Sequence, residues 1–293
     1  MGWGVADYIA RFASRRTGPF RTLLYMQVVG IAGLLVWFVV APRSATPIPH
    51  AANFWMWAAL SGVLNTMASL AFYRALETGL LTIVSPVCSA YPVVTVLASV
   101  YLGEKLSVAH LGGIVFACAG VVLAATTFGP AAATANAGAL PGSETGAKAR
   151  PTRGVALAVI ASLMYGLNFV VIGYHITPYL DGVRSVLLLR SVSVMTLLLI
   201  SVVGRQSLKV GGSAVAGRSV WLLIAAIGIF DTAAFIASNL GLSTRHVSVV
   251  TVLGSLFGAV TVFLCWIFLR ERVAKSQWLG VFLIFVGIIL VSI

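Results

Sequence analysis

Runs of about twenty apolar residues, separated by short polar or charged connections, follow one another along most of the 293-residue chain. A helix rises about 1.5 Å per residue, so a run of about twenty crosses the hydrocarbon core of a bilayer. The pattern predicts an all-α polytopic membrane protein. Its second to tenth runs cover about 20–40, 53–75, 81–102, 108–128, 154–174, 183–203, 221–242, 247–269 and 276–293, after a short first helix within 1–12. Between the fifth and sixth runs, residues 129–152 have the small, polar, Pro/Gly-containing composition of a flexible linker.

The pattern also repeats itself. GVLNTMASLAFYRALETGLLTIVSPVCSAYPVVTVLASVYLGEKL, from Gly62, returns as GIFDTAAFIASNLGLSTRHVSVVTVLGSLFGAVTVFLCWIFLRERV, from Gly228. Gly62 pairs with Gly228, Asn65 with Asp231, Leu76 with Leu242 and Ser89 with Ser255; after one inserted residue, Glu104 pairs with Glu271, Gly113 with Gly280 and Gly120 with Gly287. Residues 1–128 and 153–293 thus form two five-helix halves. An odd number of spans inserts the two copies with opposite orientation, so a ten-helix inverted repeat (5+5) is expected. Trp3-Gly4 matches Tyr165-Gly166, which lies mid-run, so the first helix reads as truncated at its N-terminus, with an upstream start as the expected cause and a genuinely short helix as the alternative.

Composition agrees. The chain is 60% hydrophobic and 9% charged, with a mean hydropathy of +1.03, against about 25% charged in ordinary soluble domains. That excludes a water-soluble fold. The net charge of +12 comes from Lys and Arg concentrated in the connections, which suits membrane orientation and gives no footprint for nucleic acid. Fourteen of the 19 Lys and Arg fall in the connections after the first, third, fifth, seventh and ninth runs. The positive-inside rule makes that face cytoplasmic and leaves the C-terminus outside. Cys88, Cys118 and Cys265 stand singly in apolar runs, as buried small hydrophobes do.

Three ionisable residues sit well inside the runs: Asp7, Arg190 and Asp231. A charge at mid-bilayer costs at least about 2.5–3.5 kcal/mol, so each should face protein or water. Asp231 reads as a carboxylate for a cationic group or a proton, or as a hydrogen-bond acceptor for a neighbouring helix. Arg190 reads as a fork for a substrate anion, or as the partner of an acid such as Asp231. Neutral polar residues gather at equivalent places, Asn65, Tyr73, Ser85, Ser89 and Tyr91 in one half and Asn168, Asn239, Thr251 and Ser255 in the other, joined by Tyr25 and Gln27. They either line a cavity or tie helices together. Pro86 and Pro92 should bend the fourth run; the ninth has neither, so the halves need not move alike.

Tyr73, Ala75-Leu76, Thr82, Ser85, Pro92, Leu102-Gly103-Glu104, Gly113 and Gly120, echoed by Tyr165-Gly166, Arg190, Gly241-Leu242, Ser248, Glu271, Gly280 and Gly287, resemble the EamA repeat of the drug/metabolite transporter superfamily. The likeness covers nearly the whole chain apart from the linker. It implies a ten-helix permease of the cytoplasmic (inner) membrane, with two bundles around a central cavity, moving metabolites by alternating access. It also implies both termini in the cytoplasm, the opposite of the charge count. The chain departs from the repeat at Gln27, where Arg is common, and at Gly258, opposite Pro92.

No Walker A, GxGxxG, HExxH or GxSxG motif is present in the sequence. The expectation is therefore a secondary-active exporter of a small metabolite or amphipathic compound, not an enzyme. It would have no cofactor and no metal, and its partners would be a small-molecule substrate, the lipid bilayer and protons or another coupling ion, with the protein a monomer or homodimer. A non-transporting receptor or scaffold, and an intramembrane enzyme, are the rivals.

Overall fold

Glycine and proline set the first boundary. The computed structural model describes residues 2–40, 49–79, 81–125, 151–208, 218–268 and 275–291. Helix α1 (Gly2–Thr17) ends against Gly18, whose φ of 86° suits a residue without a Cβ. Pro19 then opens α2 (Pro19–Val40) at a first-turn position, where a missing N–H leaves no bond unmade. The chain continues through α3 (Ala52–Thr78), α4 (Leu81–Cys88), α5 (Pro92–Tyr101) and α6 (Val108–Ala125). After the gap come α7 (Pro151–Val171), which runs into a π-helical turn at Ile172–Ile176, then α8 (Gly182–Val203), α9 (Arg218–Leu242), α10 (Val247–Gly254), α11 (Phe257–Phe268) and α12 (Lys275–Val291). Asp181 caps α8 by accepting from the N–H groups of Val183 and Arg184 at 3.1 and 3.0 Å.

The described residues form helices and no strand. Among the described residues six stretches are long and apolar enough to cross a bilayer: Pro19–Val40, Leu81–Tyr101, Arg153–Ile176, Gly182–Val203, Ser219–Leu242 and Val247–Phe268. Helix α3 is long but less apolar, because its buried face carries Ser61, Asn65, Thr66, Ser69 and Tyr73. Val36, Leu97, Val115, Leu199, Val202, Phe268 and Phe282 stand exposed on the outside, the reverse of a water-soluble protein and the surface that lipid requires. Most of the Pro-rich stretch at 42–49, most of the linker, Glu271 and the connection at 269–274 lie outside the described residues; 151–152 already belong to α7.

Small residues let the helices meet, and they do so reciprocally. A Cβ on Gly4 of α1 would lie 2.9 Å from the Phe257 carbonyl oxygen and 2.7 Å from Val260; one on Gly166 of α7 would lie 2.7 Å from the Tyr91 carbonyl oxygen and 2.6 Å from Val94. Gly120 of α6 packs the same way on the backbone of Gly280 and Ile284, and Gly287 of α12 on that of Gly113 and Ala117. Close backbone approach is what dispersion rewards where lipid removes the hydrophobic drive between helices.

The fourth run breaks between α4 and α5, as its prolines require. The ninth breaks at the equivalent place without any proline. In each, a serine hydroxyl donates to a carbonyl three residues back, Ser89 to Pro86 at 2.8 Å and Ser255 to Val252 at 2.7 Å, and the backbone tightens to i→i−3 bonds. A serine bonding to its own helix often bends it, and in both runs one sits at the break. The ninth run therefore differs from the fourth in residue type, and not in having an unbroken helix.

Candidate functional site

Pairs one helical turn apart line the space where these helices converge. Trp3 and Asp7 on α1, Asn65, Ser69 and Tyr73 on α3, Tyr165 and Phe169 on α7, and Asp231 and Phe235 on α9 are spaced by four, so each set projects from one face of its helix. With Met26 and Gln27 of α2, Cys88 of α4, Tyr91, Arg190 of α8 and Phe257 of α11, they line a cavity of about 50 Å³. Mostly apolar walls with a few convergent polar groups are how small-ligand sites are lined.

Arg190 dominates the polar side. It is 3% exposed, its Nη1 donates to Gln27 Oε1 at 2.5 Å, and its Nη2 donates to Asp231 Oδ2 at 2.5 Å. Its guanidinium lies 5.9 Å from the centre of the Phe235 ring, and Nε is buried without a partner. Glycine at position 30 makes room for it, since a Cβ there would come within 3.0 Å of Arg190 Cζ. Arg190 and Asp231 thus form one ion pair on the cavity wall, the arrangement in which each partners the other. Of the pair, the Asp231 side chain keeps 20% of its surface exposed against 4% for Arg190.

Asp7 differs. It is 8% exposed, and its buried Oδ2 accepts no hydrogen bond. Around it the walls are aromatic. Trp3 meets Phe169, Phe235 and Phe257 edge-on at centroid distances of 6.0, 5.7 and 6.2 Å, and Tyr91 stacks on Phe169 at 5.0 Å and on Phe257 at 6.3 Å. The Tyr91 hydroxyl donates to the Thr251 carbonyl at 2.9 Å, and Tyr73 donates to Met26 Sδ at 3.1 Å. Tyr165 and Ser69 share a hydrogen bond of 2.8 Å, and Asn65 donates to Ser193 Oγ at 3.4 Å.

Seven of the candidate residues read from sequence therefore line one cavity: Asp7, Gln27, Asn65, Tyr73, Tyr91, Arg190 and Asp231. The other seven do not: Tyr25 donates to the Leu208 carbonyl at 2.7 Å, and Ser85 is buried away from the cavity with its hydroxyl unpaired among the described residues. Asn168 accepts from Ser61 Oγ at 2.5 Å and ties α7 to α3. Asn239 donates to Phe235 O, and Thr251 to Val247 O, each within its own helix. Ser89 and Ser255 line a separate small cleft beneath the two helix breaks. Sequence reasoning passed over the aromatic wall, Trp3, Phe169, Phe235 and Phe257. The available signal was spacing, because Trp3 stands four residues before Asp7 and Phe235 four after Asp231. Among the described residues no group of acidic, histidine or cysteine side chains could hold a metal ion.

Comparison with known proteins gives these residues a family. The family model described as "EamA-like transporter family" matches residues 1–126 and 152–293. An uncharacterized protein of Methanocaldococcus jannaschii is 29% identical over 122 residues, which make up 41% of this chain and 86% of the relative. One solved crystal structure superposes with a TM-score of 0.65 at 19% identity, over 98% of this chain and 94% of its own, a likeness of fold. The chain belongs to the EamA-like transporter family.

Proposed function

We propose that this membrane transporter-like protein is a secondary-active permease whose central cavity takes a small metabolite or amphipathic compound and exports it by alternating access. The observation that carries this is the cavity itself. A charged pair and a further carboxylate gather inside helices that are apolar on the outside, where such groups are costly unless they serve a pathway.

The same reading takes the chain as two inverted five-helix halves, 1–128 and 153–293, joined by a linker at 129–152, in the cytoplasmic membrane. The reciprocal glycine contacts of α1 with α11 and α7 with α5 support it, since Gly4 and Gly166, Phe257 and Tyr91, and Val260 and Val94 are repeat counterparts. So does the Methanocaldococcus jannaschii relative, most of whose length is matched within 41% of this chain. In such a carrier one end of the cavity closes as the other opens. Glu104, after α5, suits a closure at one end. It accepts from Ser248 N at 3.2 Å, Ser248 Oγ at 3.0 Å and Tyr174 Oη at 3.2 Å, fastening the first half to the start of α10 and the end of the sixth run.

The test is flux. Metabolite pools of cells lacking and overproducing the protein would nominate a substrate. Proteoliposomes loaded with it should then release it saturably, and faster when unlabelled substrate is present on the far side. Binding without flux would support a receptor or scaffold instead, and flux that never saturates would mean a channel.

A further inference from the structure

We propose that the cavity selects small organic cations with an aromatic or compact apolar body, Asp7 supplying the counter-charge and Trp3, Phe169, Phe235 and Phe257 the wall. The inference deepens the transporter reading by naming the class of compound, and depends on that reading only for the steps after binding.

Charge comes first. Among the described lining residues the carboxyl and guanidinium side chains are those of Asp7, Asp231 and Arg190, one more carboxyl than guanidinium. Arg190 and Asp231 pair in charge, and Gln27 takes the other terminal nitrogen of the arginine, leaving only Nε bare among its donors. An anionic substrate would find the guanidinium already neutralised. The same holds for the carboxylate of a zwitterion. Asp7 has no such partner: it is more than nine-tenths buried, borders the cavity, and leaves Oδ2 without a donor. A buried carboxylate oxygen left bare is costly, and a ligand cation supplies the missing partner.

The walls fit the same ligand. Ring faces carry negative potential and hold cations, quaternary ammonium groups above all, when several surround one site. Trp3 sits one turn from Asp7 and is bracketed by three phenylalanine rings, two of which, Phe169 and Phe257, stack with Tyr91. Arg190 already rests against Phe235, so one cation of the protein's own uses this wall. An ammonium beside Asp7, with its apolar part against the rings, would remove the bare oxygen and fill apolar space at once.

Equilibrium binding to the full chain in lipid nanodiscs, corrected with empty discs, tests this with four probes: benzyltrimethylammonium and tetrapropylammonium as cations, phenylacetate as anion and free phenylalanine as zwitterion. At least one cation should bind saturably, at least tenfold tighter than the anion or the zwitterion. Asp7→Asn should weaken it at least tenfold, while Asp7→Glu keeps most of the affinity and Trp3→Ala loses at least threefold. The proposal is overturned if neither cation binds, if phenylacetate binds as tightly, or if folded Asp7→Asn binds as wild type does. Should Asp7→Asn fail to fold, the ranking of probes on the wild-type protein decides. Asp7-dependent cation binding with no flux in proteoliposomes would defeat the carrier and leave this site standing. Carriage of an anion or zwitterion that neither cation inhibits would do the reverse.

Discussion

Replacing Asp231 with Asn is nearly isosteric and isolates the ion pair. Arg190, 3% exposed and with a bare Nε, would keep Gln27 as its side-chain acceptor and lose its charge partner. Removing one member of a buried pair costs about 3–5 kcal/mol, and the amide oxygen of Asn returns about 1 kcal/mol as a neutral acceptor. The net loss is therefore about 2–4 kcal/mol. Arg190→Gln should be milder, about 1–2 kcal/mol, because the Asp231 side chain keeps 20% of its surface exposed and water can serve the carboxylate it leaves. In the double variant no charge is stranded, so the losses should fall short of their sum by at least about 1 kcal/mol. At about 2–4 °C per kcal/mol for a chain of this size, Asp231→Asn lowers the midpoint of thermal unfolding by about 5–15 °C. Circular dichroism in detergent, with size exclusion before and after heating, would rank wild type, the two single variants and the double. Strict additivity, or Arg190→Gln costing as much as Asp231→Asn, would refute the assignment of a buried, coupled pair.

Two other contacts carry expectations of their own. Gly166→Ala places a methyl group 2.7 Å from the Tyr91 carbonyl oxygen and 2.6 Å from Val94, so α7 and α5 must part at a cost of about 1–3 kcal/mol, read as lower monodisperse yield and a lower unfolding midpoint; Gly33→Ala, which meets nothing within 4 Å, is the control that should leave both unchanged. Glu104→Gln weakens the link to Ser248 and Tyr174 while leaving the cavity lining intact. It should change the rate of exchange across liposomes several-fold with little change in ligand affinity, and an unaltered rate would remove Glu104 from any closure.

Much of the outer architecture is legible in the chain because lipid leaves few alternatives. Long apolar runs must be helical to satisfy their backbones, and the run read at 183–203 is α8, Gly182–Val203. The interior is less legible, for two physical reasons. Hydroxyl and amide side chains have a competing partner in their own helix, and Thr251, Asn239 and Ser255 take it, so polarity inside a run does not distinguish a cavity residue from a self-satisfied one. Aromatic residues suit both lipid and a ligand wall, so Phe169 and Phe257 could not be told from Phe268 or Phe282, which face outward. The charged residues escaped this ambiguity because neither lipid nor their own helix can satisfy them. Asp7, Arg190 and Asp231 all reach the cavity. The break in the ninth run had no proline to announce it, and the serine that sits there shows its bond to Val252 only in three dimensions.

The cavity's chemistry arises where the two repeats differ. Gln27 and Arg190 are counterparts and bond each other, Tyr91 and Phe257 are counterparts and stack, and Asn65 stands opposite Asp231 as Phe169 does opposite Asp7. A symmetric chain could not hold this arrangement. Gln27→Arg would set two guanidiniums side by side, and like charges about 4 Å apart repel by about 4 kcal/mol even at an effective dielectric of about 20. Exchanging the partners tests the symmetry directly. Gln27→Arg with Arg190→Gln moves the guanidinium to α2, where its counterpart acid is the neutral Asn65, and should destabilise the protein about as much as Asp231→Asn does. Adding Asn65→Asp and Asp231→Asn transfers the whole pair to the other half. If a two-fold axis passes between Gln27 and Arg190, the fourfold variant regains at least half of the lost unfolding midpoint. If it is no better than the twofold exchange, the halves are not equivalent by inversion and the inverted-repeat reading falls.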